Sequence, residues 1–158
     1  MDDNATAVID KLNELIGAYW TGTAQHLAHV EQVRAWGLTG LATQMELHVA
    51  DEPVTIRTLS ARLLDLGGTF QVSLGMPNIG ASLGDVLRND LTVQLTARPA
   101  LNAAAEFAAA HHDATTRILL EQVLADEEAH LNWLQTEVDL YERLGEPLYM
   151  SKRMDTVP

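Results

Sequence analysis

Apolar residues recur along this chain at intervals of three, four and seven, the signature of helices that each bury one stripe. Leu12, Leu15, Tyr19, His26, Val30 and Val33 form the first stripe, and Gly37-Leu38-Thr39-Gly40 then supplies a turn of the length that joins antiparallel helices. The second stripe runs Leu41, Met45, His48, Glu52, Thr55, Leu59, Leu63 and Leu66, apolar at both ends and polar in the middle. Asp51-Glu52-Pro53 interrupts it. Proline lacks an N–H and clashes with the preceding turn, so a kink or a restarted helix is expected there.

Glycines and Pro77 cluster next, between residues 67 and 84. Residues 67–81, if extended, reach about 50 Å at roughly 3.3 Å each. A helix of some 27 residues is about 40 Å long. The segment therefore predicts a crossover that runs the length of a neighbouring helix. A third helical block follows over 82–110, with a bend expected at Arg98-Pro99. The fourth, over 113–143, carries Leu120, Val123, Glu127, His130, Leu134 and Tyr141 on one face. Gly145-Glu146-Pro147 ends it, and Leu148 to Met154 has the length of one or two further turns. The expected fold is all-α: one domain over 1–158, two helix pairs joined by a long crossover, and a short fifth helix.

Composition narrows the partners. The 158 residues are 47% hydrophobic and 20% charged, enough for one compact core. Ten Lys and Arg stand against 22 Asp and Glu, for a formal charge of -12. Nucleic acid and anionic membranes both need clustered positive charge, so neither is an expected partner. Carboxylates suit cations. With no cysteine, disulfides, thiolate metal sites and cysteine nucleophiles are excluded. Met1-Asp2-Asp3-Asn4 lacks a basic, then apolar leader, and no run of 18 mainly apolar residues exists. A soluble cytoplasmic protein is expected.

The sharpest chemical motif is Asp126-Glu127-Glu128-Ala129-His130. Glu127 and His130, three apart, point the same way from a helix, so a carboxylate oxygen and an imidazole nitrogen can share one metal ion. The same spacing also suits a buried histidine satisfied by a carboxylate. Around it, Val8-Ile9-Asp10-Lys11-Leu12-Asn13-Glu14-Leu15, Trp36-Gly37-Leu38, Asn78-Ile79-Gly80, Asp90-Leu91 and Asp126 through Leu134 resemble bacterioferritin over residues 8–150. The resemblance implies a ferritin-like four-helix bundle with the crossover between helices 2 and 3. It further implies a 24-subunit iron-storing shell built from dimers, a di-iron ferroxidase centre in each bundle, and haem between paired subunits.

Carried over position by position, the resemblance is half kept. Of the family's four Glu and two His ligands, Glu52, Glu127 and His130 match. Tyr19 stands at the first-helix Glu position, Thr55 at the second-helix His and Gln94 at the third-helix Glu. Pro53 occupies the haem-ligating Met position, so no haem is expected, and His26 replaces a neighbouring Tyr. Two ferrous ions bring four positive charges into a low-dielectric core, and two carboxylates do not balance them. A single ion on Glu52, Glu127 and His130, with Gln94, His26 or His48 as auxiliaries, does balance. So does a metal-free hydrogen-bonded network, such as Tyr19 to Glu127.

Other residues are expected to play lesser parts. His26 and His29 are not expected both to sit centrally, at least one lying at the surface or in a groove. His111-His112 reads as exposed or capping. Met45, Met76, Met150 and Met154 read as packing or surface residues, and Trp20, Trp36 and Trp133 as core or subunit contacts. The leading functional expectation is an iron-storage shell subunit, holding iron in the cavity with at most one ion per bundle centre. A second, active bacterioferritin subunit in a mixed shell would then supply oxidation. A mononuclear metal oxidase and a metal-free structural subunit remain as alternatives, and a 12-subunit DNA-protecting relative ranks last.

Overall fold

The computed structural model describes residues 3–154. Six helices follow one another: α1 (Asp3–Ala35), α2 (Thr39–Val49), α3 (Glu52–Asp65), α4 (Leu83–Ala110), α5 (Ala114–Leu144) and α6 (Glu146–Arg153). α2 and α3 follow in series as one leg of a four-helix bundle. The break falls where Pro53 cannot donate to the Val49 carbonyl. Ala50 and Asp51 keep helical dihedrals, and the amides of Val54 and Thr55 both bond the Asp51 carbonyl, so the leg restarts at once. α4, by contrast, is unbroken through Pro99. Pro99 and Leu95 are both exposed there, which leaves the unpaired Leu95 carbonyl to water.

Each leg ends in recognisable chemistry. Gly37 and Gly67 adopt φ of 84° and 78°, where an L side chain is strained, and Leu38 and Gly68 bond back to Val33 and Leu63. Ser82 and Asp85 form a reciprocal capping box at the start of α4. Asp113 caps α5 through the Thr116 amide and also receives both oxygens' worth of Arg62 from α3, at 2.8 and 2.9 Å. α6 docks through Tyr149, which donates to buried Glu137 at 2.5 Å, with Arg153 on the same carboxylate at 2.7 Å.

The interior is apolar at both ends. One cluster packs Leu12, Ile16, Leu59, Leu63, Leu101 and Leu120. The other packs Val30, Val33, Leu41, Met45, Leu87 and Tyr149. Between them lies a buried polar layer, supplied by α1, the α2–α3 leg, α4 and α5.

The crossover is strapped along α1. Asn13 donates to the Thr69 carbonyl and accepts from the Gln71 amide. Thr21 accepts from Gly75, Gln25 from Asn78 and His29 from Gly80, while Gln32 donates to the Gly80 carbonyl. These contacts follow α1 in order, so the strap runs parallel to it. At Gly17 the backbones approach so closely that a Cβ would lie 2.3 Å from the Ser73 carbonyl oxygen.

One helix end carries visible strain. α4 closes with the same 6→1 bond as the glycine ends, Asp113 to Ala108, but the left-handed position is His112, at φ 59°. A left-handed L residue costs about 1–2 kcal/mol, partly offset by the extra chain entropy that glycine loses on folding. His112→Gly is therefore expected to stabilise the fold by about 0.5–1 kcal/mol, read as a raised denaturation midpoint with an unchanged slope.

Candidate functional site at the bundle centre

Three α1 positions, one turn apart, aim polar groups at the middle of the bundle. The Tyr19 hydroxyl donates to Glu127 Oε1 at 2.7 Å. Thr23 Oγ1 donates to Glu52 Oε2 at 2.8 Å, and His26 Nδ1 lies 2.6 Å from Glu52 Oε1. On the far side, the Gln94 amide nitrogen donates to His130 Nδ1 at 3.0 Å. His130 is flanked by His48, whose ring stacks on Trp133 at 4.4 Å.

The electrostatics follow from burial. Burial, then the Glu127 carboxylate, pushes the Tyr19 hydroxyl far above its usual range, so it stays a donor. Burial also raises Glu127, and the Tyr19 hydrogen bond offsets only part of that. Burial opposes a charged His26, but the Glu52 hydrogen bond and the carboxylates of Glu52, Asp90 and Glu127 outweigh it, leaving His26 above its ordinary value. His130 has no such partner. Burial and the neighbouring His26 and His48 push it down to about 3, so it is neutral and its Nδ1 is free to accept from Gln94. Burial lowers His48 as well.

A cavity of about 540 Å³ runs from the crossover at Gly75 and Met76 down between α1 and α4 to these groups, and is lined at depth by Tyr19, His26, Glu52, Gln94 and Glu127. Thr55, on the first turn of α3, is half-buried and is not a partner of Glu52, Glu127 or His130. Pro53 is exposed beside Glu52.

The expected ligand trio is thus present in one layer, but each member has its own hydrogen-bond partner. Among the described residues, no three His, Cys, Asp or Glu side chains are arranged to hold a metal ion. One expectation is corrected: His26 and His29 are both buried, at 2% and 0% exposure. The second histidine is covered because the crossover lies over it. His29 Nε2 accepts the Gly80 amide, which places the proton on Nδ1, 2.7 Å from Asp90 Oδ1. Gln25 donates to the same oxygen at 2.9 Å. Spacing along α1 alone does not reveal this cluster. Its signal is the pairing of Asn78-Ile79-Gly80 with Asp90-Leu91 across the crossover. The sequence gives no signal for Thr23, since a single threonine in a helix carries no pattern.

The comparisons with known proteins agree on one family. The Ferritin-like domain matches residues 9–144. The chain is 35% identical to the bacterioferritin of Streptomyces coelicolor, over 91% of this chain and 87% of the relative. The chain belongs to the bacterioferritin family. Within that family it is also 30% identical to a bacterial ferritin of Neisseria meningitidis serogroup B, over 94% and 97% of the two chains. It is 29% identical to a bacterioferritin of Mycobacterium bovis, over 96% of each. Among the described residues, no helix of this bacterioferritin-family chain is long and apolar enough to cross a membrane. Trp20 and Trp36 are 42% and 37% exposed, unlike the core positions around them.

The Asp90 cluster ties the crossover to the bundle. Asp90→Ala leaves the His29 and Gln25 donors buried without an acceptor, and should cost about 2–4 kcal/mol in a denaturant titration. Amide exchange at Asn78 and Gly80 should accelerate in the same variant. An unchanged midpoint would show that the cluster does not hold the strap.

Proposed function

We propose that this chain is an iron-storage shell subunit whose bundle centre does not work as a ferroxidase. Family membership supports a self-assembling cage, a 24-mer built from dimers, with iron as cargo in its cavity. The single observation that carries the second half is the Tyr19 hydroxyl on Glu127. A tyrosine stands where the family resemblance expects a carboxylate, and it occupies an oxygen of one of the two carboxylates that remain.

The donor set does not fit a resident two-iron centre. Of the ligand positions the resemblance implies, only Glu52 and Glu127 supply carboxylates to face four positive charges, in a largely buried site. Glu52 has both oxygens engaged by Thr23 and His26. Iron entering the cage is therefore oxidised slowly, on carboxylates away from the bundle centre or by an active partner subunit in a mixed shell. The excess of 22 acidic over 10 basic residues suits that cargo.

Gel filtration of the purified chain should give a shell of 24-mer size, as distinct from a 12-mer or a dimer. Aerobic ferrous addition to that homopolymer should raise ferric absorbance no faster than a protein-free control; a clear excess over the control would overturn the reading. The triple substitution Tyr19→Glu, Thr55→His and Gln94→Glu supplies the missing donors and is expected to raise the rate at least tenfold. No gain would mean that the break at Asp51–Pro53 holds Glu52 out of register.

A further inference from the structure

The α1–α4 cavity has walls that the hydrogen-bonded centre does not use. Gly17, Ala18 and Gly22 supply one side, and Val93, Ala97 and Ala100 the other. At Gly22 the walls stand at ordinary contact distance, since a Cβ there would lie 3.6 Å from Val93 Cγ1. Small side chains elsewhere leave about 540 Å³ open. Small-molecule sites occupy about 300–1,000 Å³ and are mostly apolar with a few polar groups to fix orientation.

The polar groups at depth decide the class of ligand. His26 Nε2 and Gln94 Oε1 have no hydrogen-bond partner among the described residues, but both atoms are enclosed by protein. Glu52 has both oxygens engaged by Thr23 and His26. That leaves Glu127, which is half-buried, lines the cavity and gives only Oε1 to Tyr19. Burial, then the carboxylates of Glu52 and Asp51, hold its carboxyl above the ordinary range against the Tyr19 hydrogen bond and His26. Among the described residues, no Lys or Arg lines the cavity. One carboxylate without a cationic partner matches a monocation better than a dication, and apolar walls favour a cation that carries its own apolar body.

We propose that this cavity binds a small monoamine with an apolar body, its ammonium on Glu127 and its body between the α1 and α4 walls. An aliphatic amine is cationic at neutral pH, as lysine is with a reference pKa of about 10.4. The site requires neither iron nor a working shell, so its failure and that of the storage reading are read separately.

The test is isothermal titration of the full chain, in about 0.15 M salt to screen exposed carboxylates. The probes are n-hexylamine, n-hexanol and hexanoate, which share a chain and differ in the charge of the head. One hexylamine per subunit is expected, bound about tenfold to a hundredfold tighter than hexanol, the range of a charge-assisted hydrogen bond. Hexanoate should not bind. Glu127→Gln keeps an acceptor for Tyr19 and should erase the amine's advantage while leaving hexanol binding in place. Ala97→Leu fills the α4 wall and should weaken both probes at least tenfold, with circular dichroism and elution volume confirming that each variant folds. Ala97 lies outside the polar layer, so this variant decides the matter should Glu127→Gln fail to fold. No saturable amine binding, no preference over hexanol, hexanoate bound as tightly as the amine, or binding unchanged in either folded variant would each overturn the assignment.

Discussion

The bundle is organised around a buried polar layer that has to be satisfied from within. Apolar clusters close both ends, so Glu52, Asp90, Gln94, Glu127 and His130 meet little water where they sit. A buried carboxylate without partners is costly enough to stay protonated or to destabilise the fold. Here every buried carboxylate at the centre has a donor from α1. Tyr19 serves Glu127, Thr23 and His26 serve Glu52, and Gln25 and His29 serve Asp90. α1 is in effect the donor helix of the layer, and its register fixes what the other three legs place opposite it.

The same helix holds the crossover. Gln25 and His29 each face both ways: toward Asp90 through one polar atom and toward the Asn78 or Gly80 amide through another. The strap therefore cannot shift without disturbing the centre, nor the centre without loosening the strap. The α1–α4 cavity lies beneath this strap, so access to the polar layer and the path of the crossover are one structural question.

Much of the fold is legible in the pattern of residues, because helical periodicity and helix-ending glycines act locally. The stripe through Leu12, Tyr19, His26 and Val33 faces inward as its spacing predicts, and Asp51-Glu52-Pro53 does restart a helix. The Tyr19–Glu127 bond was within reach of sequence reasoning, since it joins two residues that a family resemblance already places face to face. What escaped were roles set by long-range contact. His29 reads as a surface or groove histidine until the crossover is laid over it. Thr23 has no pattern of its own; its role appears only once Glu52 arrives from another helix.

Thr55 apart, the residues that depart from the ligand pattern the resemblance implies are not independent of those that keep it. Tyr19 and Gln94 stand where the resemblance expects carboxylates, and they donate to Glu127 and His130, two of the three retained positions. His26 stands where it expects a tyrosine, and its Nδ1 meets Glu52, the third. Each of these replacements changes the charge or donor count of the layer and at once supplies a retained residue with a partner. Random loss of ligands would instead leave bare carboxylates in a low-dielectric core, at a cost that a fold stabilised by about 5–15 kcal/mol could hardly bear more than once or twice. On the proposed reading, the centre is rebuilt and not merely depleted of ligands. Its two unmet atoms, His26 Nε2 and Gln94 Oε1, both belong to replacement residues, which locates the unfinished hydrogen bonding of the layer on its new members and not on its retained ones.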